Sequence, residues 1–125
     1  MIDQEDESES SYEDLLPDSE FFRISQDATE GQFLAATKVY ARAVVDNCDL
    51  TVDVGGLDWE ISKRAKRRAG AVRHQDSNPQ SVVLTWDYFQ ANGWAGTAAT
   101  IRHELIHVHL LNEYDDSSHG RRFKQ

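Results

Sequence analysis

The chain has 125 residues, with 22 Asp and Glu against 13 Lys and Arg, for a formal net charge of -9. That length leaves room for one domain with a modest core, and one module plus a tail is expected. The single cysteine, Cys48, excludes an internal disulfide or a paired-cysteine metal ribbon within these residues, and no apolar run approaches the ~18 residues of a membrane span. With no basic-then-apolar leader either, a soluble, cytoplasmic monomer that avoids membranes is expected.

The charge is unevenly spread. Residues 1–30 hold eleven acidic residues and one Arg, whereas residues 31–125 are within one charge of neutral. Met1 to about Asp27 is acidic, serine-rich and poor in groups to bury, so residues 1–28 read as a disordered acidic tail and residues 29–125 as the folded domain. Two apolar islands interrupt the tail, Tyr12 with Leu15 and Leu16, then Phe21, Phe22 and Ile24. They are expected to pack on the domain; the rival reading makes them a docking site for a partner or the cover of a basic groove.

In chain order, Thr29-Glu30-Gly31-Gln32 has the spacing of a capping box. A helix is expected to run from there to about Asp46, with Phe33, Thr37, Tyr40 and Val44 on one face. Leu50 to Val54 alternates as a strand does, Gly55-Gly56 reads as a turn, and Leu57 to Ile61 is a second short apolar stretch. Lys63-Arg64-Ala65-Lys66-Arg67-Arg68 then places five cations in six residues. Lys63, Arg64, Lys66, Arg67 and Arg68 are candidate nucleic-acid contacts, weighed against a solvated loop that balances the acidic tail. Ala69 to His74 reads as a strand with Gly70 at a close backbone approach, Asp76 to Pro79 as a turn, and Ser81 to Trp86 as the clearest strand of all. Gln90 to Gly93 reads as a loop before a helix over Ala95 to Leu111, which polar residues to Ser118 end. A last amphipathic turn covers Arg121 to Gln125. A helix, strands and a second helix in this order describe an α+β domain.

The chemistry concentrates in His103-Glu104-Leu105-Ile106-His107. Helix residues four apart lie about 40° apart around the axis, so both imidazoles can reach one metal ion, and Glu104 is placed to meet a water beside it. This is the HExxH zinc-hydrolase pattern. A catalytic zinc takes three protein ligands and keeps one position open. Glu113 sits where a metzincin puts its third histidine, but Leu110 stands where that pattern needs glycine. His109 lies about 120° around the helix from His103. His119, followed by Gly120, comes after a polar stretch from which the chain can turn back.

His103-Glu104-Leu105-Ile106-His107 with His119-Gly120-Arg121-Arg122-Phe123 resembles the HExxH…HGxxF pattern of SprT-like zinc metalloproteases, the family that includes Spartan. The likeness extends upstream through the glycine-bearing strand, the strand before the helix and the N-terminal helix, over roughly residues 29–125. It implies a small zincin-like α+β fold: an N-terminal helix, a three- or four-stranded mostly antiparallel sheet, the active-site helix and a short C-terminal helical turn. It implies one zinc ion held by His103, His107 and His119, with Glu104 as the catalytic base. Many members carry a cysteine-rich zinc ribbon after the protease core, which these residues do not contain.

The chemistry implied is hydrolysis of peptide bonds in a protein or peptide substrate, with Tyr88, His109, Tyr114 and Arg121 as candidates to stabilise the oxyanion. Spartan-type members cleave proteins crosslinked to DNA, so DNA repair and a DNA partner are expectations of the resemblance. Residues 81–86 are a candidate edge for holding an extended peptide. The alternative is a catalytically silent, zinc-stabilised binding module acting with nucleic acid or a protein partner.

Overall fold

The computed structural model describes residues 16–64 and 68–114. Helix α1 (Glu30–Cys48) begins as its sequence dictates. The Thr29 hydroxyl accepts from the Gln32 N–H at 3.1 Å while the Gln32 side chain accepts from the Thr29 N–H at 2.9 Å, so the capping box closes in both directions. Asp49 ends the helix in the left-handed conformation (φ 56, ψ 48), which short polar side chains tolerate best after glycine. Phe33, Thr37, Tyr40, Ala41 and Val44 form its buried face, the stripe that the helical spacing predicts.

Leu50 to Val54 is not the expected strand. The segment bends and enters a 3-10 turn at Val54–Gly56. Its alternating side chains mimic a strand, but its polar groups are satisfied from a helix. The Thr51 N–H donates to His109 Nδ1 at 2.9 Å, the Thr51 carbonyl accepts from Asn112 at 2.7 Å, and the Thr51 hydroxyl donates to Glu113 at 2.6 Å. Backbone that finds its partners in this way has no need of a sheet.

Three strands follow, β1 (Asp58–Ser62), β2 (Gly70–Gln75) and β3 (Asn78–Thr85), in the spatial order β1-β3-β2. β2 and β3 form an antiparallel hairpin around Asp76-Ser77, whereas β1 runs parallel to β3. The sheet is therefore mixed rather than mostly antiparallel, because the connection out of β1 skips one position and leaves it for β3. The most apolar strand takes that central place: Ser81 to Thr85 are all buried. Residues 81–86 consequently offer no free edge. Trp59, undecided between strand and loop from sequence, lies in β1 with its ring buried and its indole N–H on the Val54 carbonyl at 3.1 Å.

Helix α2 (Trp86–Tyr114) follows β3 without a loop and carries a kink at Gly93 (φ 74, ψ -169). The expected loop at Gln90–Gly93 is thus reduced to one residue, in a backbone conformation that side chains resist. Gln26 compensates for the broken ladder, its side-chain amide donating to the Gln90 main-chain carbonyl at 2.5 Å and its main-chain carbonyl accepting from the Gln90 side chain at 2.8 Å. The same N-terminal stretch places Ser19 under the Trp94 indole N–H (2.7 Å) and Phe22 edge-on to Tyr40, with Phe22 and Ile24 packed on the core. The packed body therefore starts upstream of residue 29: Phe22 and Ile24 have apolar surface to bury, and Gln26 has carbonyls to satisfy. Tyr12 and Leu15 lie outside the described residues.

Between helices and sheet, Phe33, Tyr40 and Val44 meet Trp59, Val82, Leu84, Phe89, Trp94, Ile101, Leu105 and Val108. Each such side chain, removed from water, contributes about 1.5–3 kcal/mol before entropy is charged against it. Cys48 packs half-buried against this core, and burial pushes its thiol pKa up. Among the described residues no helix is long and apolar enough to cross a membrane.

Candidate active site

Beyond Gly93, α2 presents three faces. Ala98, Ile101, Leu105 and Val108 are buried in the core. Arg102 donates to the Tyr40 hydroxyl at 2.8 Å, pinning the helix against α1. The third face, Thr100, His103, Glu104, His107 and Leu111, looks across a cleft at Arg68, Gly70, Val72 and His74 at the start of and along β2. The cleft has a volume of about 590 Å³.

Within it, the imidazole centroids of His103 and His107 are 5.0 Å apart with their planes at 74°. His103 is exposed and His107 buried, so one ring stands at the mouth and the other at the wall. Glu104, 4 % exposed, sits on the same side of the helix. Burial pushes its carboxyl pKa up to about 7, and the Arg68 guanidinium pulls partly in the other direction. A carboxyl so placed exchanges a proton near neutral pH.

The width of the cleft depends on Gly70. A β-carbon there would lie 2.9 Å from Thr100 Cγ2 and 3.0 Å from the Val83 carbonyl oxygen, so only glycine lets β2 come this close to α2. The expected close approach of Gly70 is found, and the helix that bears His103 and His107 is one of its two neighbours.

The rivals for third metal ligand separate cleanly. His109 and Glu113 share the helix face that holds Thr51, outside the cleft. His119 lies outside the described residues, and among the described residues no three His, Cys, Asp or Glu side chains converge closely enough to hold a metal ion. The donor set still fits zinc in its chemistry: two imidazoles four residues apart open into one cleft, with a carboxyl between them in sequence.

Of the oxyanion candidates, His109 is committed to Thr51, Tyr114 is exposed with its ring 6.5 Å from that of His109, and Tyr88 is not among the residues lining the cleft. Arg121 lies outside the described residues. The basic run divides likewise. Lys63 pairs with Glu30, Arg64 is exposed, Lys66 and Arg67 lie outside the described residues, and Arg68 lines the cleft.

Arg68 and His74 are the site residues that sequence reasoning did not place there. Their signal was position: Gly70, Val72 and His74 alternate along β2 and Arg68 stands two residues before it, so a glycine expected to approach the helix brings its neighbours to the cleft, Ala69 and Ala71 among them. His74 Nδ1 lies 2.7 Å from the Asp76 carbonyl oxygen, which can only accept, so Nδ1 carries a proton and donates it there.

The model of the SprT-like family matches residues 34–125, which include both faces of the cleft. Neither the curated proteins nor the solved structures hold a match to the chain.

Proposed function

The chain belongs to the SprT-like family, and from that membership we propose that it is a zinc-dependent metallopeptidase. The observation that carries the reading is the convergence of His103, Glu104 and His107 on one cleft beside an edge strand. His103 and His107 would hold the ion, with His119 as the third donor. Zinc held there supplies Lewis acidity, polarising a carbonyl and making water a nucleophile near neutral pH.

The protein's own groups do the rest. β2 pairs with β3 alone among the described strands, so its other edge keeps N–H and C=O groups for an extended peptide. Its close approach to α2 sets the peptide over the helix face that bears Glu104. Glu104 takes a proton from the attacking water on a carboxylate oxygen and returns it to the leaving amine, the work of a carboxyl held within the cleft beside both imidazoles. Proteins bound or crosslinked to DNA are the proposed substrate class, supported by the family resemblance and by the exposed Arg64. A salt-dependent affinity for duplex DNA, weakened by Arg64→Gln, is the measurement for that part.

Glu104→Gln tests the catalytic reading. It keeps the shape of the side chain and both imidazoles, so zinc content should hold while peptide cleavage falls about 10²–10⁴-fold. Cleavage at the wild-type rate would reject Glu104 as the base. A wild-type protein that binds zinc yet cleaves nothing, and whose activity in its host survives Glu104→Gln, would be the binding module instead.

A further inference from the structure

One charged group in the cleft, Arg68, bears on the chemistry above only through its pull on Glu104. Arg68 is the only Lys or Arg among the described residues that line it. Its main chain is fixed: its carbonyl accepts from the Thr85 hydroxyl at 2.7 Å, and the next carbonyl, of Ala69, accepts from the Thr85 N–H at 2.9 Å. Its side chain is exposed, with neither a hydrogen bond nor an ion pair to any described residue. A planar guanidinium on an anchored stem, open to a cleft, suits a carboxylate, which it can engage through two parallel N–H donors.

The opposite end of the same strand face differs. His74 stands there with its Nδ1 proton committed to the Asp76 carbonyl, and its ring lacks the paired donors of a guanidinium. Between the two, Gly70 and Val72 offer no charge. Arg68 and His74 are six residues apart, about 20 Å along an extended chain, so a peptide on the β2 edge meets a permanent cation, the guanidinium, at one end only. Glu104 feels that cation across the cleft, but no ion pair joins the two: Glu104 is buried while Arg68 reaches solvent.

We propose that Arg68 determines the sequence preference of the cleft by binding an acidic side chain of the peptide to one side of the scissile bond. The inference rests on the peptidase reading for its substrate but not for its test, which reads binding as well as cleavage. The contact is partly exposed, so the preference is modest, about fivefold, at the top of the range for a solvent-facing ion pair.

The test uses the full chain loaded with zinc and a set of fluorescein-labelled alanine-based decapeptides. Each carries one Asp, Asn or Lys moved stepwise along the sequence. Affinities are measured by fluorescence anisotropy on Glu104→Gln, and kcat/KM on the protein with Glu104 intact. At one position of the set, Asp should bind about fivefold tighter than Asn, with the gap shrinking as salt rises. Adding Arg68→Gln should remove the gap, and Arg68→Glu should reverse it in favour of Lys, with zinc content unchanged as the control for folding. A preference that survives Arg68→Gln, or no preference for Asp at any position, overturns the proposal. If binding follows residue 68 while the protein with Glu104 intact cleaves no peptide, the peptidase reading fails and the carboxylate site stands. If peptides are cleaved with no charge preference, the carboxylate site fails and the peptidase reading stands.

Discussion

Two faces of α2 carry nearly the same chemistry and do different work. His103, Glu104 and His107 open into the cleft; His109, Asn112 and Glu113, one step around the helix, satisfy the backbone and hydroxyl of Thr51. A histidine and a carboxylate occur on the second face as well, His109 and Glu113, yet there they replace a strand partner for an irregular segment. What separates the faces is what they look at. One meets a glycine-thinned edge strand across a cavity, the other a loop whose N–H and C=O groups need partners. Residue type supplies donors; the opposing element decides whether they bind a ligand or the chain itself.

The sharpest way to break this comparison is to remove one imidazole from each face. His107→Ala should abolish zinc binding and peptide cleavage, an effect of 10²-fold or more read by metal analysis and kcat/KM. His109→Ala should leave zinc in place and cost about 1–2 kcal/mol in a urea titration, because the Thr51 N–H loses its acceptor.

The next effect in size belongs to Glu104 in zinc-free protein. Its folded pKa lies near 7, above the ordinary carboxylate value of 4.5, because burial opposes the charge. A raised pKa favours the folded state while the group is protonated. That contribution is complete below about pH 4.5 and is lost as pH rises through about 7. The loss should amount to about 2 kcal/mol, after allowing for water at the cleft mouth. Denaturant midpoints across pH 4 to 8 should fall more steeply for zinc-free wild type than for Glu104→Gln. Identical profiles would show that the carboxyl is well solvated. Zinc should flatten the wild-type profile, since a nearby cation favours the carboxylate.

Gly70→Ala should cost about 1–3 kcal/mol by crowding Thr100 and the Val83 carbonyl, and the displaced β2 should raise KM more than it lowers kcat. A smaller effect again is expected from Glu113→Gln. It keeps an acceptor for the Thr51 hydroxyl and should cost less than about 1 kcal/mol with no loss of zinc.

Much of this organisation was legible in the sequence where local rules operate. The capping box at Thr29 fixed the start of α1, the apolar stripe of Phe33 to Val44 named its buried face, and Gly70 announced a close approach. The unlegible parts depend on elements far apart in the chain. Leu50 to Val54 alternates like a strand, and only the arrival of His109 and Asn112 some sixty residues later removes its need for one. The parallel pairing of β1 with β3 is likewise a matter of which strand fills the centre. Gly93 was readable as an interruption, but Gln26 had to be in place for the helix to continue across it. Arg68 was hidden by its company, since a cation inside a basic run reads as part of a patch until the strand face it begins is known.

The central claim, that one helix face holds zinc and its neighbour does not, is tested most directly by native mass spectrometry of zinc stoichiometry on single alanine variants of His103, His107, His109 and His119. One zinc per chain is expected for wild type and for His109→Ala, with loss in the other three. Retention in His119→Ala or His107→Ala, or loss in a folded His109→Ala, would contradict the account.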